Sequence, residues 1–500
     1  MRRDRHGSLC VFVRFCLKVS LTDGLPEVPR AAAAVCVCCW SKSMRIRLLI
    51  AVMAVPAFIA GCDNVACDLS LIDSGKADAS VVFKSCSRKA QNGDASAQKT
   101  LGNMYYGGKG TVQNFTEAAK WYRKSAELGN AKAQSNLGDM YYDGRGVELD
   151  YSEAVKWYRK AADQGNAIAQ NNLGNMYYSG KGVAKDYSEA VKWYRKSAEQ
   201  GNAKAQSNLG NRYYYGQGVE QDYSEAVKWY RKAADQGNAV AQYILGYIYA
   251  NGHGVEQNDA EAVKWLRKSA DQGNANAQFY LALSYANGEG VEQNYKEAAK
   301  WYQKSADQGS DRAQNNLGWL YEHGHGVEQN YAEAAKLYRK AASQGHVIAQ
   351  KNLGVMYFNG TGVEQNYSEA IKWYRKAASK GFSDAQNSLG NMYFNGQGVE
   401  QSYAEAVRWY RKAASQGHVD AQANLGNMYF YGNGVDQNYA EAFKWYKQAA
   451  DRGNARAQNN LGWLYFTGKG VPMDKGIAHS WFKVSCQNGE QLACNNLRLR

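Results

Sequence analysis

From residue 95 to residue 490, one pattern of apolar and polar positions returns every 36 residues. Its marker is Leu followed by Gly, at Leu101, Leu137, Leu173, Leu209, Leu245, Leu317, Leu353, Leu389, Leu425 and Leu461. Leu281 keeps the register with Ala282 behind it, and a bare Leu497 closes the series. No insertion or deletion interrupts the period, so each unit must stack on the next in the same way. Units of this kind share a continuous core, and none buries its apolar face alone. The period predicts a rod-like or superhelical solenoid, not a globule with a catalytic cleft.

Within one unit the spacing specifies two helices. In residues 131–166, Ala133, Leu137 and Tyr141 recur at i, i+4 and i+8, which predicts a first helix with one packing face. Gly138 removes a side chain beside Leu137, so a neighbouring helix can approach closely. Gly144 and Gly146 end that helix and turn the chain. Asp150 and Glu153 then form a capping-box pattern for a second helix, repeated as Asp186/Glu189, Asn330/Glu333 and Asn438/Glu441. Ala154, Tyr158 and Ala161 make its inner face, while Lys156, Arg159 and Lys160 point outward. Gly165-Asn166 stops it.

Composition refines this picture without changing it. Most of the fifty Gly fall at fixed positions of the repeat, and only four Pro occur, so the glycines serve turns and packing, not flexible linkers. The formal charge is +14 overall and +8 from residue 62 onward. Lys and Arg alternate with Glu and Asp on the helices, as on a solvated face. No basic stripe of the sort that nucleic-acid binding requires is evident.

The segment from Met44 to Cys62 reads as an export signal. Arg45 and Arg47 form a charged start, and Leu48 to Ala57 form an apolar stretch too short for a comfortable spanning helix. Ile59-Ala60-Gly61-Cys62 resembles the lipobox of bacterial lipoproteins. That resemblance implies a diacylglycerol on Cys62 and cleavage before it; an ordinary signal or an uncleaved anchor is the alternative. Residues 1–43 show no periodicity and would bury the signal, which points to Met44 as the true start. The lipoprotein-like signal sets the expected location as the cell envelope, lipid-anchored and facing the periplasm, and Asp63, which resembles an inner-membrane retention signal, favours the inner membrane.

Four cysteines follow Cys62: Cys67 and Cys86 before the repeats, Cys486 and Cys494 at their end. An oxidising compartment favours disulfides. Three connectivities are open, but a solenoid keeps its ends apart, which selects Cys67–Cys86 and Cys486–Cys494. Residues 63–94 read as a cap with a degenerate second helix over Val81–Gln91, and residues 491–500 begin one more first helix.

The motif Ala-x-x-x-Leu-Gly-x-x-Tyr-x-x-Gly-x-Gly-Val, then Glu-Ala-x-Lys-Trp-Tyr-x-Lys-Ala-Ala-x-x-Gly, resembles the Sel1-like repeat family, related to the tetratricopeptide repeat. The departures are local: Ala282, Leu337 and Ile477. The resemblance implies an all-α, right-handed α-solenoid of about eleven helix-turn-helix repeats, with first helices lining a concave face. It implies protein partners on that face and roles in signalling complexes, envelope assembly or host interaction.

Candidate contacts lie at positions 5, 9 and 12 of each repeat, counted from Ala131 in the example. They read Ser135/Asp139/Tyr142, Asn171/Asn175/Tyr178, Ser207/Asn211/Tyr214 and Asn387/Asn391/Phe394. This stripe suits an extended peptide or a glycan, peptidoglycan included; packing between helices is the other reading. Repeats five to seven break it with Tyr243, Tyr247, Phe279, Leu283 and Trp319, an apolar patch that fits a partner site or local core packing.

No catalytic constellation accompanies the pattern. A hydrolase acting on β-lactams or peptidoglycan is the alternative the family suggests. Ser96-Ala-Gln-Lys99 matches the first of its three motifs, and the other two are missing. His323 and His325 flank Gly324 without further metal ligands. No phosphate- or dinucleotide-binding glycine motif follows a strand. No cofactor or metal is expected.

Overall fold

The computed structural model describes residues 65–498. It holds twenty-five α-helices and, among the described residues, no strand. Each repeat supplies a first and a second helix of thirteen residues, as in Ala131–Asp143 and Tyr151–Asp163. Consecutive hairpins stack into an α-solenoid. Ser70–Asp73 and Ala79–Gln91 precede the array, and Gln491–Asn496 follows it. Cys67 bonds Cys86 and Cys486 bonds Cys494, with Cα atoms 4.8 Å apart in each pair. A disulfide thus lies at each end of the described array. Residues 1–43, the signal-like segment 44–61, Cys62 and Asp63 lie outside the described residues.

Side chains set the helix boundaries. The Asp150 carboxylate accepts from the backbone N–H of Ser152 at 2.8 Å and of Glu153 at 3.0 Å. Glu153 does not reach back to complete the box; it takes Lys156 Nζ at 2.6 Å. Gly144 ends the first helix with φ at +69°, a conformation that glycine adopts without cost. Asn166 is more than a stop: its Oδ1 accepts from Ala169 N–H at 2.9 Å, so it opens the next first helix.

Two glycines permit the close packing. A Cβ on Gly138 would sit 2.6 Å from the Tyr158 ring, and one on Gly146 would sit 2.2 Å from the Phe115 backbone of the preceding repeat. Trp157 also packs into the preceding repeat's core, with Lys160 Nζ 4.2 Å over its ring. Polar links keep the register. Gln134 Nε2 donates to the Ala126 carbonyl of the preceding repeat at 3.0 Å, and Gln164 Nε2 donates to Gln134 Oε1 at 2.7 Å. Arg159 is not simply outward: it donates to the Tyr177 hydroxyl of the next repeat.

A further set of bonds runs along the first helices. The buried Tyr158 hydroxyl donates to Asp139 Oδ1 at 2.7 Å, and Asn172 Nδ2 of the next repeat donates to the same oxygen at 3.1 Å. The triad recurs as Tyr122/Asn103/Asn136, Tyr194/Asn175/Asn208, Tyr410/Asn391/Asn424 and Tyr446/Asn427/Asn460. Burial raises the pKa of each of these phenols, which therefore stay donors. The Asp139 carboxyl is also pushed up, first by burial and then by nearby Asp143.

These contacts generate three expectations. Gly138→Ala drives a methyl into the Tyr158 ring and should cost about 1–3 kcal/mol in urea unfolding; an unchanged midpoint would refute the tight contact. Asn175→Leu strands the Tyr194 hydroxyl and should cost about 1–3 kcal/mol, most of it recovered in the double variant with Tyr194→Phe. Strict additivity of the two changes would contradict this. Asp139 binds its proton more tightly folded than unfolded, so stability falls as pH rises from the unfolded pKa through the folded one, and the loss is complete above both. Asp139→Asn should therefore raise the midpoint at neutral pH, by a margin that closes toward about pH 4. A margin independent of pH would count against a penalised carboxylate.

Candidate functional site

The ladder breaks at position 9 of four consecutive repeats, which carry Tyr247, Leu283, Trp319 and Val355. Each break is answered elsewhere in three of them. Opposite Tyr247 the second helix carries Leu266, which has no hydroxyl to satisfy, and Trp463 faces Phe482 in the last repeat on the same logic. Opposite Leu283, the Tyr302 hydroxyl accepts from Asn316 Nδ2 at 3.1 Å. Opposite Trp319, the Tyr338 hydroxyl donates to Glu322 Oε2 at 2.6 Å. With those polar demands met, position 9 is free to carry apolar groups.

The five predicted contact residues lie on the first helices Ala239–Asn251, Ala275–Asn287 and Asp311–His323. Trp319 is 39% exposed, and Tyr243, Tyr247 and Leu283 are half-buried. Phe279 departs from the expectation. It is only 5% exposed, packs against Tyr302, and is covered by the Arg312 guanidinium 4.2 Å from its ring centre. It supports the surface from below and is not part of it.

The remaining four fall into two groups. Tyr243 and Tyr247 meet through Tyr280, with ring centres 5.8 and 5.7 Å from it. Tyr247 also stands edge-on to His253, whose Nδ1 is 2.7 Å from the Tyr214 hydroxyl. Burial first, and neighbouring phenols second, push Tyr214 and Tyr243 up to about 12, so both are protonated at neutral pH. Trp319 joins the second group, with His323 stacked at 4.6 Å and His325 at 5.1 Å; His325 stacks on Tyr295 at 5.0 Å. Leu283 and Trp319 border a cavity of about 250 Å³ between the first helices of repeats six and seven.

Elsewhere the stripe takes part in internal packing, the second of its two sequence readings. Asn175 belongs to the ladder, and Asn171 Oδ1 accepts from Asn208 Nδ2 at 3.0 Å. Asn387 accepts likewise from Asn424 at 3.2 Å. The aromatic at position 12 packs on the ring at position 21, Tyr178 on Tyr187 at 5.4 Å and Phe394 on Tyr403 at 5.2 Å. Repetition of the stripe reflects repetition of these bonds.

Tyr280, Tyr295, His323 and His325 contribute rings that the stripe positions did not single out. The signal that finds the region is Ala250 and Ala286 at position 12, where eight other repeats carry Tyr or Phe. The His323 and His325 rings lie parallel with centres 6.0 Å apart. Among the described residues no group of three or more His, Cys, Asp or Glu is placed to hold a metal. Ser96 is exposed on helix Ala95–Gly107, and burial together with nearby Lys132 lowers the Lys99 amine. No hydrogen bond joins the two side chains.

The Sel1 repeat family matches the chain eleven times end to end, from residues 95–130 through residues 455–490. The crystal structure of c5321, a protective antigen present in uropathogenic Escherichia coli strains with an SLR fold, is 42% identical. The match covers 83% of this chain and 89% of that one, with a TM-score of 0.77. A Sel1 repeat protein from Oxalobacter formigenes is 35% identical over 62% of this chain and 89% of that one, with a TM-score of 0.50. No curated protein matches the chain. The matched repeats span more than half of the sequence, and this chain belongs to the Sel1 repeat family.

Proposed function

We propose that the protein is a lipid-anchored scaffold of the bacterial cell envelope that captures a protein partner on the first helices of repeats five to seven. The observation that carries this reading is the break in the ladder. At Tyr247 and Trp319 a position otherwise consumed by internal hydrogen bonds is released, and large aromatic groups stand there with part of their surface in solvent. Tyr and Trp dominate binding energy at protein interfaces because they bury much area with few rotatable bonds. Sel1 repeat membership supports a protein partner.

The anchor rests on the signal-like segment and on Cys62, and a periplasm-facing position rests on the same residues and Asp63. The two disulfides fit an oxidising compartment. Similarity to a protective antigen present in uropathogenic Escherichia coli strains supports a role in host interaction. A hydrolytic role gains no support from the surroundings of Ser96.

Three outcomes follow. A photo-reactive residue at Trp319 should crosslink a partner in intact cells. Tyr247→Asn with Trp319→Asn, the commonest residue at that position, should weaken the purified partner's binding by about 30-fold while circular dichroism stays unchanged. Equal affinity of the variant would remove this surface from the binding reaction. Cys62→Ser should abolish fatty-acid labelling and move the chain from the membrane pellet to the soluble fraction; persistent labelling would overturn the anchor.

A further inference from the structure

In seven repeats, position 12 carries a Tyr or Phe whose ring packs on the aromatic at position 21. Ring centres are 5.0–5.4 Å apart, from Tyr106 on Phe115 to Phe430 on Tyr439. In three of these repeats the residue at position 15 of the following repeat lies against both rings: Lys181 on Tyr142 and Tyr151, His253 on Tyr214 and Tyr223, and Lys469 on Phe430 and Tyr439. Repeat six retains two members of this trio. Tyr295 holds position 21 and His325 stacks on it at 5.0 Å, but position 12 is Ala286. The slot of the missing ring is the cavity of about 250 Å³, bordered by Leu283, Ala286, Asn287, Tyr295, Tyr302 and Trp319.

We propose that this slot receives an aromatic side chain, Tyr or Phe, from the bound protein, so that the partner supplies the ring that the chain's own repeats supply elsewhere. The proposal rests on the partner-binding reading above and names the anchor that the surface selects. The occupant follows from the site's own geometry. Tyr295 already presents the face on which position-12 rings pack, and Trp319 adds a wall that no other ladder position in the first ten repeats provides. Ring pairs in tilted or edge-on contact gain beyond their buried area. Asn287 lines the same slot and offers its carbonyl to a phenol hydroxyl, since its Nδ2 is engaged with Glu289 at 3.0 Å.

The test uses the full-length protein and p-cresol, the tyrosine side chain, as probe. Saturation-transfer NMR should detect p-cresol on the wild type, and Ala286→Phe, which restores the chain's own ring, should reduce the signal about five-fold or more. Ala286→Phe recreates the pairing of seven other repeats, so it should fold with an unchanged or higher melting temperature. Trp319→Asn should reduce the signal as well. A signal insensitive to Ala286→Phe in folded protein overturns the proposal. So does binding of N-acetylglucosamine, blocked by Ala286→Phe, in place of p-cresol, because that assigns the slot to a sugar. Failure of the crosslinking experiment with p-cresol binding intact would remove the partner reading and leave the ring slot standing; the converse would remove only the slot.

Discussion

In eight of the eleven repeats the array depends on a tyrosine ring laid flat against a glycine. Gly138, Gly174, Gly210 and their counterparts admit the ring of the second helix to a distance that a single methyl would forbid. That contact carries the hydroxyl into the helix interface, where burial denies it water and demands a partner. The partner is the side chain next to the glycine, and the next repeat's Asn shares it. A steric requirement inside one repeat thereby becomes a bond between repeats. Any insertion would misalign the glycine, the ring and the Asn together, which is the physical reason for an unbroken period.

The same dependence makes the exceptions interpretable. Where position 9 loses its Asn, the hydroxyl is deleted, as at Leu266 and Phe482, or redirected, as at Tyr302 and Tyr338. The Gln links follow a similar rule. Lys380 and Arg452 replace Gln at position 34 and cap carbonyls of the preceding repeat instead. They leave Gln350 and Gln422 each with one amide oxygen that has no hydrogen-bond partner. Repeats five to seven differ in degree: three adjoining first helices change at positions 9 and 12 together. The Tyr302 and Tyr338 hydroxyls keep partners there while Trp319 is exposed and a cavity opens, and Asn315 Oδ1 is left buried without a hydrogen-bond partner. Coordinated change with intact packing is the mark of a surface under a separate demand from folding.

Legibility differed between fold and site for a physical reason. Helix periodicity, the Gly-x-Gly turn and the Asp or Asn caps are local, and they were readable from Ala133, Leu137, Gly144, Gly146 and Asp150 alone. The cysteine pairs were readable because a solenoid separates its ends. The stripe at positions 5, 9 and 12 was visible too, but its role was not. Asn175 and Tyr178 look alike as surface groups and as interior donors until their partners 33 residues away and 9 residues away are placed. Phe279 was ambiguous for the same cause: Arg312, from the next repeat, covers it.

The sequence by itself thus determined the repeat, its two helices, their caps and the stapled ends, because each follows from spacing within one unit or between neighbours at a constant offset. The tertiary structure decided which polar residues are spent inside the ladder and which aromatic groups reach solvent. It also decided that Ala286 leaves a slot between Tyr295 and Trp319. Those outcomes depend on distances between side chains of different repeats, and a residue's identity does not reveal whether a neighbour has already claimed it.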